Sequence, residues 1–545
     1  MILNNPIPLD HAKLHLILGP PGTGKTTALI KIIKEKVGAG VNPSDVVFVS
    51  FTRKAVKEAR ERVVAELKLK NTESMEWFRT LHSLAYYCLG FDHDDLFSLD
   101  NCKELGESLN MFVPTLSQPL MDFSDLIDGA KSQADTAANT LGGRMLFLDN
   151  LARLKCVGVL DVWHSNKFMN IYKEELQRFC ATYAQYKAQR GVYDFTDLID
   201  LCADMASDSA DNLMLPKSRL LIVDEAQDLS RLQWAMVQNL ARNSEEVYIA
   251  GDDDQAIYEW SGADLETFLA LKAWDIQALD HSYRVPGGVH AYSDRIIHNV
   301  KERFRKTWTP RTDTRKEDVT FIKNITELDL SKGQWLLLAR NRCHVKPYIE
   351  YCLNEGFNFA LTYSSSIGSD TLQRDIQALS LWEWMLKDQH GNKARFDQLE
   401  ALYACLPLGA SGVGRGYKAL QSMKQGAKYS LVDLVKDHGL RNVAYYKTMF
   451  AEKIPEDRLV YYEKLKRRHE NKKPRIHIGT IHSTKGGECA NVVLSLDTTR
   501  RTYDSYLAHP CSEHRVFYVG ATRARERLFV VEPTGEQYYK EGWVA

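Results

Sequence analysis

The sequence predicts an α/β protein of two parallel-sheet domains, each interrupted by a mainly helical insertion, and three observations predict it. An apolar strand, Leu14 to Leu18, runs into a glycine-rich loop and then a helix, Lys25 to Lys36. Strand-like apolar runs recur in two groups: Val46 to Ser50, Leu220 to Val223 and Val247 to Ala250, then Trp335 to Ala339, Ile476 to Gly479, Val492 to Leu496 and Leu528 to Val531. Within each group the runs are separated by a long helical stretch.

The elements follow in order. After the first strand and helix, Val46 to Ser50 is a strand and Arg53 to Leu67 a helix, a βαβα opening. From about Phe91 to Arg190 the chain turns helical and acidic, and sheet-like strands resume at Leu220. The second group is interrupted by a helical stretch, roughly Asp370 to Lys473, with glycines at Gly409 to Gly416. The boundaries expected are 1–90 for the first domain's opening part, 91–190 for its insertion and 191–275 for its closing part. Residues 276–369 open the second domain, 370–473 form its shorter insertion, and 474–545 complete it.

Composition bounds the class. A chain of 545 residues exceeds a single core and should hold about two to four domains. Its 44% hydrophobic and 26% charged residues are those of a globular protein. No apolar run reaches the roughly eighteen residues needed to cross a bilayer, and Met1 to Asp10 lacks a leader pattern, so the expected location is the cytoplasm, with no membrane partner. Ten scattered cysteines, without Cys-x-x-Cys, read as reduced thiols. A net charge of −1 excludes binding of a polyanion by bulk charge; local basic surfaces must serve, at Arg53 to Arg62, Lys301 to Lys316 or Lys464 to Arg475. Asp92-His93-Asp94-Asp95 reads as an exposed helix start.

Gly19-Pro20-Pro21-Gly22-Thr23-Gly24-Lys25-Thr26 fits the phosphate-loop pattern and sits between a strand and a helix. Its glycines let backbone amides curl round phosphate oxygens, Lys25 reaches the β- and γ-phosphates, and the Thr26 hydroxyl ligates magnesium. Leu220 to Glu225 ends an apolar strand on two carboxylates, where Asp224 can hold Mg2+ through water and Glu225 can activate the attacking water. Gly251 to Trp260 also emerges from a strand's C-terminal end, placing Gln255 near phosphate and Tyr258 and Trp260 near a base; Asp252 to Asp254 shape the turn. Arg284 and Arg523 lie far along the chain from Lys25. They suit γ-phosphate fingers, and on spacing alone two surface salt bridges remain the alternative.

The ordered set resembles the UvrD/Rep/PcrA-type helicases of superfamily 1. It comprises the phosphate loop, Phe51-Thr52-Arg53-Lys54-Ala55, Thr80-Leu81-His82, Val223 to Asp228, Gly251 to Trp260, Tyr283-Arg284, Thr480 to Gly486 and Tyr518 to Ala524, with Asp194-Phe195 and Asp197-Leu198 between. The resemblance implies two RecA-like phosphate-loop NTPase domains that clamp ATP and Mg2+, with single-stranded DNA across them. Lys25, Glu225, Gln255, Arg284 and Arg523 would be catalytic, and Thr26 and Asp224 would hold the metal. Gly19 to Thr27, namely Gly19, Pro20, Pro21, Gly22, Thr23, Gly24, Lys25, Thr26 and Thr27, would bind nucleotide together with Tyr283 on adenine, Glu488 on the ribose, Arg284 and Arg523. Phe51, Arg53, Thr80, His82, Tyr258, Trp260 and His482 would bind DNA.

The implied function is an ATP-dependent helicase moving 3′ to 5′ on single strands and acting at single-strand/duplex junctions in replication, repair or recombination. The alternatives are a translocase with little unwinding, or the motor subunit of a larger repair or defence assembly. Three departures stand out: residues 1 to 18 lack the glutamine that usually reads adenine, Ser261 stands where arginine is common, and Arg53 where asparagine is common.

Overall fold

A computed structural model describes residues 9, 11, 13–69, 73–114, 140–166, 169–204, 215–312, 318–362, 367–409, 412–414, 423–424, 426–469 and 473–543. Lys316 and Lys472 of the basic clusters, Gly416, and most of the stretch Met1 to Asp10 lie outside them. The strands form two parallel-sheet α/β systems, and the chain divides into two compact units, Met1–Phe321 with Lys485–Ala545, and Ile322–Thr484.

The first unit is built on strands β1 (Leu14–Leu18), β2 (Val46–Ser50), β3 (Phe78–Thr80), β4 (Leu220–Asp224), β5 (Val247–Gly251) and β6 (Asp275–Ala278), in the spatial order β3-β2-β4-β5-β1-β6. All its pairings are parallel. Parallel strands need crossovers, and helices α1 (Lys25–Gly38), α2 (Arg53–Leu67) and α3 (Leu81–Leu89) lie in those connections. The strands alternate between two buried faces. Leu14, Leu16, Val47, Val49, Leu221, Val223 and Ile249 join one apolar cluster, while Ile17, Val46, Phe48, Leu220, Ile222 and Ala250 join the other. Burial on both faces explains why these segments read as continuous apolar runs.

Between β3 and β4 the chain forms helices Leu99–Leu109, Leu141–Lys155, Val159–Ser165 and Lys173–Arg190, which enclose a core of their own around Leu105, Met145, Phe147, Leu148, Leu176 and Phe179. Asp92 to Asp95 is a turn and not the expected helix start. The Asp92 and Asp95 carboxylates accept the Asp94 and Asp92 amides, and the helix begins only at Leu99, capped by Ser98. The same unit contains the parallel pair Cys489–Ser495 and Ala524–Val531.

In the second unit, strands Phe359–Leu361, Ile476–Thr480 and Trp335–Ala339 lie parallel with the middle one central. Helices Ile367–Lys387, Phe396–Cys405, Leu431–Asp437, Tyr446–Phe450 and Glu456–Arg467 fill the stretch between its outer strands and Ile476. No described helix is long and apolar enough to cross a membrane. All ten cysteines are free and most are buried.

Candidate functional site

Parallel register gathers the sequence motifs at one sheet edge. Leu18 lies opposite Gly251 and Ala278, and Ser50 opposite Thr80 and Asp224, so the segments after β1, β2, β3, β4 and β5 all leave from their C-terminal ends. Ligands bind at that edge in open α/β sheets.

The loop after β1 needs its glycines. Gly22 and Gly24 have φ of 73° and 80°, in the left-handed region, and a Cβ on Gly22 would lie 2.3 Å from the Arg284 Cβ. The Thr23 hydroxyl donates to the Pro20 carbonyl (2.8 Å), bracing Pro20 and Pro21. Gly19 donates its amide to the Gly251 carbonyl (3.0 Å), tying the loop to β5. Lys25 and Thr26 open α1, so its unbonded first amides face the loop, a natural anion site. Thr27, one residue on, is exposed and accepts from Arg62 (2.8 Å).

The Lys25 ammonium donates to Glu225 (3.0 Å). Burial works against that charge, but Glu225 and Asp224 outweigh it and hold Lys25 above its ordinary pKa. Burial also resists ionisation of Glu225, yet Lys25 and Lys485 bring it down to about 2. Asp224 moves the other way, up to about 7, through burial and the adjoining Glu225 charge. Glu225 thus holds the Lys25 ammonium, and Asp224 adds a second carboxylate at the strand end, the oxygen donor type that suits a hard divalent cation such as Mg2+. Glu225 itself adopts φ 55°, a left-handed conformation unusual for a non-glycine residue and found at functional sites.

Residues 282 to 284 dock on the phosphate loop. The Ser282 hydroxyl donates to the Pro21 carbonyl (2.7 Å) and the Tyr283 amide to the Gly22 carbonyl (2.9 Å). Tyr283 is left 74% exposed, with the His281 ring set edge-on to it at 4.9 Å. Arg284 pairs with Glu488 at 2.5 Å, and Glu488 also pairs with Arg525 at 3.3 Å. Arg523 is 1% exposed and donates to the carbonyls of Val519 (2.9 Å) and Gly487 (3.2 Å) and to the Gln255 side-chain oxygen (2.9 Å). Burial, with Arg284 nearby, brings its pKa down to about 9. Gln255 donates in turn to Asp252 (2.7 Å). Gln255, Arg523 and the loop of Asp252 form one hydrogen-bonded chain.

Asp252, Asp253 and Asp254 are fully buried, and their cation comes from the chain. The Lys306 ammonium donates to Asp252 (2.7 Å) and Asp253 and pairs with Asp254 at 3.0 Å, while Arg303 grips Asp254 with two nitrogens. Arg515 donates to the Asp253 carbonyl (2.8 Å). Burial and its two acidic neighbours take Asp253 up to about 6 against the pull of Lys306. The triad therefore shapes the turn, held by an internal ammonium. Part of the Lys301 to Lys316 cluster is this buried clamp and not a solvated face.

Among the candidate strand-binding residues, Tyr258 and Trp260 follow in the same loop and Phe51 stacks on it. The Phe51 and Tyr258 rings stack with centroids 5.9 Å apart, and the Lys485 ammonium lies 4.8 Å from the Tyr258 centroid. Tyr258 is only 4% exposed, so it backs Phe51, and Phe51 presents the more accessible ring. Trp260 packs against the core of the inserted helices. Thr80 ends β3 and accepts the Ser83 amide as the cap of α3, with His82 in that helix's first turn. Burial, against the pull of Asp194, takes His82 down to about 4, so it is neutral at pH 7. Arg53 opens α2 just after Phe51 and is exposed. Ser261 donates to the Tyr258 carbonyl (2.9 Å) and closes the turn. His482, in the second unit, is buried in the turn after strand Ile476–Thr480.

Sequence reasoning gave no role to Lys485, whose ammonium donates to both Asp228 oxygens (2.5 and 2.6 Å) and to the Gln255 carbonyl (2.6 Å). The available signal was a lysine in one motif and an unassigned aspartate in another. Lys306, Arg303 and Arg515 were likewise missed, although three consecutive buried aspartates demand cations.

Residues 5–274 match the UvrD/REP helicase N-terminal domain, and residues 424–533 the UvrD-like helicase C-terminal domain. The chain is similar to a protein of Mycoplasma pneumoniae named "Probable DNA helicase", 24% identical over 364 residues, 62% of this chain and 63% of that one. It is also similar to proteins named ATP-dependent DNA helicase PcrA: that of Leuconostoc citreum is 28% identical over 370 residues, covering 66% and 46% of the two chains. That of Staphylococcus epidermidis is 26% identical over 357 residues, covering 62% and 45%. The matched stretch covers between 45% and 63% of the length of these curated relatives.

Proposed function

As the chain belongs to the UvrD/Rep helicase family, we propose that it is a cytoplasmic ATP-driven motor that moves 3′ to 5′ on single-stranded DNA and parts duplex at junctions ahead of it. One observation carries this reading. Gln255 is bonded to the buried Arg523 on the phosphate side and, through its own carbonyl, to Lys485, which lies over the Tyr258 ring that backs Phe51. That run of contacts would couple Gln255, as a phosphate sensor, to Phe51, as a base platform.

The ion pairs suggest how a triphosphate would enter. Its β- and γ-oxygens take the Lys25 ammonium from Glu225, which releases that carboxylate to orient and deprotonate the attacking water. Arg284 exchanges Glu488 for the γ-phosphate, and Glu488 turns to the ribose, while Tyr283 covers the base. Arg523, already buried, needs little reorganisation to meet the charge that develops on the phosphoryl oxygens. Thr26 and Asp224 would hold Mg2+, which would supply positive charge against the phosphates. Gln255, drawn toward the γ-phosphate, would shift the loop that ends in Tyr258 and Trp260, and the stacked base moves with it. Hydrolysis lets the loop return.

Unwinding of a fluorescent duplex with a 3′ single-stranded tail, compared with a 5′ tail, tests the proposal. ATP-dependent opening of the 3′-tailed duplex is expected. Equal opening of both sinks the polarity, and displacement of streptavidin from a single strand without duplex opening identifies a translocase instead.

A further inference from the structure

Within the first unit, the helix Pro510–Ala521 packs against the turn Asp253–Gln255. Arg515 on that helix donates to the Asp253 carbonyl (2.8 Å), and Arg523, just beyond its end, donates to the Gln255 side-chain oxygen (2.9 Å). Between these two in the chain lies Tyr518, which is fully buried and whose hydroxyl has no hydrogen-bond partner. A buried donor without an acceptor is costly and uncommon in a folded protein. Burial holds the phenol well above its ordinary pKa, and of the charges around it Asp252 adds most to that effect, so it remains a donor. Asp252 is itself fully buried, with its two carboxylate oxygens divided between partners. Oδ1 accepts the Lys306 ammonium (2.7 Å) and the Asp254 amide (3.3 Å), and Oδ2 accepts the Gln255 side-chain amide (2.7 Å).

When Gln255 turns to a γ-phosphate, Asp252 Oδ2 loses its donor in a place closed to water. An acceptor without a donor then adjoins a donor without an acceptor. We propose that Tyr518 is a positioning residue whose hydroxyl replaces Gln255 on Asp252 Oδ2 when Gln255 moves to the γ-phosphate. The inference rests on the reading of Gln255 as the phosphate sensor. In the nucleotide-free chain Gln255 bonds Asp252 and the phenol bonds nothing; in the engaged chain Gln255 bonds phosphate and the phenol bonds Asp252. The exchange leaves no buried group unsatisfied in the engaged chain, so the hydroxyl favours the engaged position of the loop. Its contribution appears as affinity for the nucleotide and not as stability of the free chain.

The test places Tyr518→Phe in two backgrounds of the full chain, wild type and Gln255→Ala. In the nucleotide-free wild type the substitution removes a hydroxyl that bonds nothing, so the melting temperature should stay the same or rise. In Gln255→Ala, Oδ2 is open without nucleotide and the phenol can take it. There the same substitution should lower the melting temperature by about 2–4 °C, the loss of one hydrogen bond to a charged group in a unit of this size. Binding of a fluorescent, non-hydrolysable adenylyl imidodiphosphate with Mg2+ supplies the second readout. Tyr518→Phe should weaken it about 10-fold in the wild-type background and leave it unchanged in Gln255→Ala, where the phenol is bonded before and after binding. A lower melting temperature of Tyr518→Phe in the wild-type background means the hydroxyl is already bonded and overturns the exchange. Equal effects of the substitution in both backgrounds, or none in either, overturn it as well. Failure of the wild type to bind the analogue overturns the nucleotide reading, and the proposal with it, whatever the melting temperatures.

Discussion

Replacing Lys306 by methionine keeps most of the side chain's volume and deletes one charge from the centre of three buried carboxylates. Lys306 is 0% exposed at its side chain and meets Asp252, Asp253 and Asp254 together. After the change Asp254 keeps Arg303, and Asp252 keeps the Gln255 amide, but Asp252 and Asp253 face each other without a cation. Removing one partner from a buried ion pair costs about 3–5 kcal/mol. At roughly 2.1 cal/mol/K per residue, that lowers the melting temperature of a unit this size by about 5 °C. The cost depends on pH. Without Lys306 the folded-state pKa of Asp253, already about 6, rises further above its unfolded value. A raised carboxyl contributes stability below its unfolded pKa and loses it as pH climbs through the folded one, so the deficit should be greatest near pH 8. It should shrink toward pH 5 by up to about 1.4 kcal/mol per pH unit for each proton taken up. Scanning calorimetry of wild type and Lys306→Met at pH 5, 6.5 and 8 measures both effects. A deficit below about 1 kcal/mol at pH 8, or one that grows on acidification, refutes the clamp.

Two further outcomes follow from the site. Trp260→Ala should raise the single-strand concentration that half-saturates stimulated hydrolysis by roughly 5- to 150-fold, the equivalent of one stacked base, and an unchanged value would remove Trp260 from the strand path. His82, taken down to about 4 by burial, should stay neutral through pH 5 in NMR titration. Because its folded pKa lies below the unfolded one, it contributes stability above pH 6.5 that is lost on acidification toward pH 4, and titration near 6.5 would contradict its burial.

What the sequence revealed and what it hid have physical causes. Strands such as Val46–Ser50 were legible because both their faces are buried and every position is apolar. Asp275–Ala278 was missed because all four residues are exposed and no alternation marks them, and Phe78–Thr80 because three residues are too few. Lys25, Asp224 and Gln255 could be singled out since phosphate chemistry demands those residue types just past strand ends. The partners of those residues could not. Lys306 reaches Asp252 across 54 residues, Lys485 reaches Asp228 across 257, and Arg515 reaches the Asp253 carbonyl across 262, and packing alone decides such pairs. Trp260 shows the same limit: its place against the inserted helices depends on a core formed elsewhere in the chain.

In the proposed motor, phosphate chemistry and strand binding are coupled through the loop from Gln255 to Trp260. Steady-state ATP hydrolysis with and without an unstructured oligothymidylate, with Lys25→Ala as the control, tests it most directly. Hydrolysis is expected to rise many-fold on adding the single strand and to be lost in Lys25→Ala. Hydrolysis indifferent to the strand, or retained in Lys25→Ala, would contradict it.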